Sequence, residues 1–181
     1  MRTLRAVTCL AWLSVGCGSG GAGSIEGKVQ GHEIAVKEAI FIPLPDGEVF
    51  VAAADQEDLC AIMNGEKRPG SEMNLLEVYL ANFNGSSIQP LVTGAYPTSR
   101  YLDQPGLWSY SLVFWTRECI SFSAVGPNSG TVTVESVGLA EPGAQTNVSL
   151  DLKFGDAHLT GHLTATYCFL ESQSGTACQP N

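Results

Sequence analysis

The feature that most constrains the fold is the alternation of apolar and polar residues along short segments that end at turn residues. Apolar residues occupy every second position in 148–154, and after a Gly155-Asp156 turn the alternation continues through 159–167. A period of two is typical of a strand with one buried face. The recurrence of such segments predicts an all-β fold, a sandwich or small barrel of about nine short antiparallel strands.

Turn residues divide these predicted strands. A Gln30-Gly31-His32 turn separates the predicted strands 27–29 and 34–44, and 126–130 predicts a hairpin that joins strand 120–125 to strand 131–137. We find no internal repeat, so these elements predict a single β domain.

One short helix is predicted near residues 56–63. Asp55 precedes this segment as a candidate N-cap, and Gly65 follows it as a candidate C-terminal stop. The acidic residues at its start fit the positive end of a helix dipole. They lack the alternating oxygen donors and central glycine of a calcium-binding loop, so no metal is predicted there.

The N-terminus is typical of an exported bacterial protein. Arg2 and Arg5 precede a short apolar stretch over 6–15, and Cys17 follows Gly16 in a segment similar to a lipobox, although Leu13 lies one position earlier than that pattern requires. We therefore predict a signal peptide over 1–16 and acylation of Cys17. The alternative is an ordinary cleaved leader and release into the periplasm or medium.

The rest of the chain divides simply. A Gly-rich tether over 17–23 follows the leader, a β domain is predicted over 24–170, and a polar tail occupies 171–181. The predicted partner is a lipid bilayer, reached through the N-terminal acyl chains.

The charge of the chain argues against nucleic-acid binding. Eighteen acidic residues against nine basic ones give a formal net charge of −9. Such a surface repels phosphate backbones and anionic headgroups. Membrane attachment is therefore expected to be hydrophobic or covalent.

Four cysteines belong to the predicted mature domain. Cys60, Cys119, Cys168 and Cys178 are an even number in an exported chain, which predicts two disulfides. They lack the close spacing of zinc ligands. Three connectivities are possible, and the short loop between Cys168 and Cys178 favours pairing these two and joining Cys60 to Cys119.

No residue pattern predicts catalysis, and no cofactor is expected. Serine lies in neither a G-x-S-x-G nor an S-x-x-K arrangement. His158 and His162 on one strand would lie about 13 Å apart, too far to share a metal ion. His32, in a turn, indicates nothing.

Aromatic residues in one predicted strand are the candidate ligand surface. Alternation over 107–116 places Trp108 and Tyr110 on one side and Trp115 on the other. Aromatic side chains fill cores or, when exposed, stack on sugars and peptides. We select Trp108, Tyr110 and Trp115 as candidates for binding an envelope glycan or protein.

Three parts of the chain carry a resemblance. The Cys60 helix, the strand 129–134 and the closing run 150–168 resemble uncharacterised envelope lipoproteins of predatory myxobacteria. The resemblance implies an envelope location, and Gly18 after the cysteine implies sorting to the outer membrane. The function hypothesis is a non-catalytic structural or binding lipoprotein, and the alternative is a secreted β-fold hydrolase. A concave pocket with convergent acids or histidines would favour the hydrolase.

Overall fold

A computed structural model describes residues 22–99, 105–117, 120–123, 126–127 and 129–170, and it confirms the all-β prediction. The described residues form eleven strands and one helix. The strands are β1 Ala22–Glu26, β2 Glu38–Pro43, β3 Val49–Ala54, β4 Glu72–Phe83, β5 Ile88–Gln89, β6 Gly94–Pro97, β7 Gly106–Arg117, β8 Ile120–Ser123, β9 Ser129–Ser136, β10 Gln145–Phe154 and β11 Ala157–Tyr167, and the helix is α1 Leu59–Met63.

The strands form one mixed sheet in the order β6-β9-β10-β11-β2-β3-β4-β7-β8, with β1 added to β11 and β5 to β4. The sheet differs in two details from the predicted short antiparallel strands. β4 and β7 are each 12 residues long, and β2 pairs with β11 in parallel. Since β1 is antiparallel to β11 and β2 is parallel to it, the chain reverses its direction between β1 and β2.

The sheet curls into a half-barrel, so that β6 at one end of the order approaches β7 near the other. A parallel bridge joins Thr98 to Ser109, and the Ser109 hydroxyl donates a 2.9 Å hydrogen bond to the Tyr96 carbonyl. The curled sheet encloses an inner core with side chains from nine of its strands, including Leu76, Val78 and Leu80 of β4. Alternation along each strand explains this sidedness.

A second, outer core lies on the opposite face of β2, β3 and β4. Ile40, Phe50 and Leu75 of the sheet pack there with Leu59 of α1, and Cys168 just after β11 belongs to the same cluster. Both faces of β3 are therefore buried along its whole length, whereas β2 and β4 are buried on both faces only in part.

The helix is shorter than predicted and begins differently. α1 spans only Leu59–Met63, and Asp58 precedes it in a left-handed conformation without a side-chain capping bond. Asp55 is not the N-cap, because its carboxylate accepts hydrogen bonds from the backbone and side-chain nitrogens of Asn74 at 2.9 and 2.7 Å. This acid therefore connects the approach to α1 with β4.

The predicted hairpin over 120–137 is wrong. β8 pairs with β7, whereas β9 pairs with β10 and β6, so the predicted hairpin between them does not form. At the other end of the described chain, β1 includes Ala22 and Gly23 of the predicted tether, which pair with Thr164 and Leu163. The alternation within a segment predicts which face of a strand is buried, but it does not predict which other strand pairs with each of its edges.

Candidate functional site

The aromatic side chains of β7 lie on two different faces of the sheet. Trp108 and Tyr110 face outward beside Ala81 and Tyr79 of β4, and Trp115 faces inward and packs against the inner core. The predicted opposition of Trp115 to Trp108 is thus confirmed. The three candidate residues cannot form a single ligand surface, because the sheet separates them.

Trp108 is mainly a packing residue. Its side chain is only 7% exposed, and its indole Nε1 has no hydrogen-bond partner among the described residues. A ligand could not stack on a ring so deeply buried. Tyr110 is half-buried and lies 6.4 Å from Tyr79, measured between ring centroids.

Trp115 lines a cleft of about 470 Å³ where β4 begins and β7 ends. We call it the Trp115 cleft, and its lining residues are His32, Glu72, Asn74, Trp115, Thr116 and Arg117. The register of β4 and β7 pairs Glu72 with Arg117 and Asn74 with Trp115, so these four side chains share the inward face. Beyond the apolar core, this face becomes polar and accessible.

His32 is placed in the cleft by a tight turn. Val29 and His32 exchange backbone hydrogen bonds of 3.0 and 2.9 Å, and the central residues Gln30 and Gly31 have φ of 51° and 86°. Positive φ at both central positions is the geometry of a type I′ turn. The imidazole then stacks on Trp115 with ring centroids 4.2 Å apart and an interplanar angle of 12°.

A hydrogen-bond chain fixes the orientation and the tautomer of His32. The Asn74 amide nitrogen donates to Asp55, which leaves the amide oxygen to meet His32 Nδ1 at 3.1 Å. An amide oxygen can only accept, so Nδ1 carries the proton and neutral His32 keeps a lone pair on Nε2. The Asp55–Asn74–His32 chain therefore holds one ring nitrogen as an acceptor.

Glu72 and Arg117 provide opposite charges in the same cleft. They are directly opposite one another in the register, and both are exposed. Neither forms a side-chain ion pair with another described residue, although the Glu72 carbonyl accepts a hydrogen bond from Gln56. The carboxylate and the guanidinium remain available for a bound molecule.

The other histidines lie elsewhere. His158 contacts Asp151 at 2.7 Å, and His162 contacts Glu135 at 3.5 Å, both on the exposed side of the sheet. They face solvent as predicted and do not line the Trp115 cleft. Sequence reasoning set His32 aside and overlooked Glu72, Asn74 and Arg117. The usable signal was a pair of polar residues at alternate positions where one long strand begins, Glu72 and Asn74, and an arginine two positions after Trp115 where another ends.

The favoured disulfide pairing is wrong. Cys60 is bonded to Cys168, with Cα atoms 5.7 Å apart, within the range that a disulfide requires. α1 packs beside β2, and β2 pairs with the end of β11, so residues 108 positions apart in sequence meet. Cys17, Cys119 and Cys178 lie outside the described residues.

The disulfide lines a larger groove of about 660 Å³ between α1 and the ends of β10 and β11. Glu38, Asp58 and Glu66 contribute acidic side chains to it. Two of them are already engaged, because Glu38 accepts a hydrogen bond from the Leu59 amide and Asp58 pairs with Lys67. The groove is therefore a weaker candidate than the Trp115 cleft.

An isolated carboxyl group lies on the outer face of β4. Glu77 is opposite Ala52 and Leu112 and forms no hydrogen bond or ion pair with a described residue. Burial penalises its charged form and raises its pKa from 4.5 to about 7. The unfolded chain therefore loses this proton at lower pH than the folded chain.

We expect Glu77 to make the folded state less stable as the pH rises from about 4.5 to 7, with no further change above that range. The full effect is at most about 3 kcal/mol, reduced because part of the side chain contacts water. Glu77→Gln should stabilise the protein at pH 8 and leave its stability at pH 4 nearly unchanged. Urea unfolding at both pH values measures this, with the exposed Glu141→Gln as control. Identical pH profiles for wild type and Glu77→Gln would contradict it.

The fold and the cleft define an all-β domain that carries a polar, aromatic-lined recess. The chain matches no protein-family model, no curated protein and no solved structure. Within the part of the chain that the structure describes, no helix has the length and apolar character needed to cross a membrane. The same residues contain no group of three metal-ligating side chains.

Proposed function

We propose that the protein is a bacterial outer-membrane lipoprotein, anchored through acylated Cys17, whose β domain binds a small polar ligand in the Trp115 cleft without converting it. The observation that carries the binding role is the convergence of His32, Glu72, Trp115 and Arg117 in one cleft. Sites for small ligands combine an apolar wall with a few well-placed polar groups. The Trp115 cleft has both.

The anchor rests on the leader and on Cys17 behind Gly16. β1 starts at Ala22, only five positions after Cys17. Five extended residues reach about 18 Å at most. An acylated Cys17 would therefore hold the domain close to the bilayer surface, within reach of ligands in the cell envelope.

A secreted hydrolase remains the second candidate, because the cleft brings a histidine and an acid together. His32 is oriented through Nδ1 by Asn74, which leaves Nε2 able to accept a proton. A fixed imidazole of this kind suits a general base. Immobilisation by stacking on Trp115 serves a binding site equally well, and no nucleophile pattern accompanies His32 in the sequence.

The test of the binding role is a thermal-shift screen of glycan and peptidoglycan fragments and small metabolites against the mature domain. We expect a ligand to raise the melting temperature of wild type and of Leu139→Ala, whose side chain is 71% exposed. The shift should be lost in His32→Ala and Arg117→Met. Mass spectrometry of each incubated compound detects turnover. A product that wild type forms and His32→Ala does not would replace the binding role with hydrolysis.

The anchor is tested separately by metabolic labelling with a fatty-acid analogue. Wild type should carry label and fractionate with the outer membrane, whereas Cys17→Ala should carry none. A mature chain that begins downstream of Cys17 would refute the anchor and leave the binding role intact.

A further inference from the structure

Glu72 and Arg117 are close enough for one small ligand to contact both side chains. Residues directly opposite each other on antiparallel strands have Cβ atoms about 4.5–5.5 Å apart. Elsewhere in the described residues, exposed opposite charges meet, as Lys28 and Glu33 do at 3.1 Å. Glu72 and Arg117 share a face and a register position but form no such contact. An acceptor and a donor thus stand side by side, each with unused hydrogen-bonding capacity.

This arrangement disfavours a ligand with a single charge. An anion on Arg117 would lie within a few ångströms of the Glu72 carboxylate, and a cation on Glu72 would meet the guanidinium. The net charge of −9 disfavours anions further. A ligand that carries both charges on neighbouring atoms satisfies both side chains and has no net charge for the surface to repel.

We propose that the Trp115 cleft binds a free α-amino acid, with its carboxylate on Arg117 and its ammonium group on Glu72. The planar guanidinium can donate two parallel hydrogen bonds to a carboxylate. His32 Nε2, held as an acceptor by the Asn74 bond to Nδ1, is available for a further ammonium hydrogen. This assignment rests on the proposed binding role of the cleft.

The remaining walls determine which amino acids fit. Trp115 stacks on His32 on one side and packs against the inner core, so the cleft has an apolar wall beside its charged pair. A volume of about 470 Å³ accommodates a large side chain. We therefore expect aliphatic and aromatic amino acids to bind more tightly than acidic ones, whose extra carboxylate would be repelled by Glu72.

The test uses isothermal titration with L-phenylalanine and L-leucine, and with two derivatives of phenylalanine that each lack one charge. Removing the ammonium charge in N-acetyl-phenylalanine, or the carboxylate in phenylalaninamide, should weaken binding about tenfold or more. Arg117→Met should weaken phenylalanine binding equally, whereas Arg68→Met, at an exposed arginine outside the cleft, should not.

Exchanging the positions of the acidic and the basic residue distinguishes loss of the charge pair from a general disruption of the cleft. Glu72→Arg and Arg117→Glu should each abolish binding of phenylalanine, and the double variant should recover part of it, because the two charges are again present with exchanged positions. Failure of the double variant to exceed both single variants would overturn the amino acid assignment.

A neutral disaccharide, cellobiose, separates the two levels of the proposal. Binding of cellobiose but not of amino acids, lost in His32→Ala, would overturn the amino acid assignment and retain a binding cleft. Absence of binding by the amino acids alone would overturn the assignment, and absence of binding also by cellobiose and by every compound of the thermal-shift screen would overturn the binding role as well.

Discussion

Replacing both Cys60 and Cys168 by alanine is expected to lower the free energy of unfolding by roughly 4–5 kcal/mol. The bond closes a loop of 108 residues, and a cross-link over so long a loop removes much of the conformational freedom of the unfolded chain. Cys168 is also part of the outer core, and the Asn64 side chain just after α1 donates to the Phe169 carbonyl at 2.9 Å. Loss of the bond should therefore loosen α1 together with the segment that follows β11. Typical domains have a total stability of about 5–15 kcal/mol, so the variant should unfold at much lower urea concentration.

The measurement is urea unfolding of wild type and the double variant without reductant. Peptide mapping under denaturing, non-reducing conditions should recover a fragment that joins Cys60 to Cys168. If all four domain cysteines are oxidised, as export predicts, Cys119 and Cys178 are left to pair with each other and resist alkylation. A fragment that joins Cys60 to Cys119 would contradict the structure, and alkylation of Cys119 and Cys178 would refute the second disulfide.

Trp108→Ala is expected to destabilise the domain by about 3–5 kcal/mol, in the range measured when a large buried aromatic side chain is removed. The indole is nearly inaccessible, so its loss would leave a cavity on the outer face of β7. Trp115→Ala should cost less, about 1–2 kcal/mol, because that ring is only partly buried and loses chiefly the stack on His32. The two variants delete the same side chain from opposite faces of one strand.

Thermal and urea unfolding of both variants, beside the exposed-site control Leu139→Ala, give this comparison directly. Ligand titration adds a second readout, since Trp115→Ala should weaken binding at a temperature where the variant is fully folded. Equal destabilisation by the two substitutions would mean that Trp115 is as much a core residue as Trp108. Undiminished ligand affinity in Trp115→Ala would remove the ring from the binding site.

The class of fold follows from the sequence because strand alternation is a local property. As predicted, the alternate apolar residues of β10 and β11 face the inner core. So do Leu76, Val78 and Leu80, which were predicted to share one face of their strand. The opposition of Trp108 and Trp115 follows from the same period of two. Each of these conclusions needs only residues close together in the chain, and the structure agrees with each one.

The pairing of strands and cysteines was decided by the tertiary structure. From the sequence alone, each strand could pair with several others and each of the four domain cysteines with any of the other three. The parallel pairing of β2 with β11 brings Cys168 to Cys60, a contact that loop length alone disfavoured. The register of β4 on β7 sets Glu72 against Arg117, and a turn distant in sequence adds His32. The sequence by itself determined an all-β domain and the faces of its strands. The disulfide and the cleft came from contacts between distant segments, which depend on how the whole sheet curls and which no local pattern encodes.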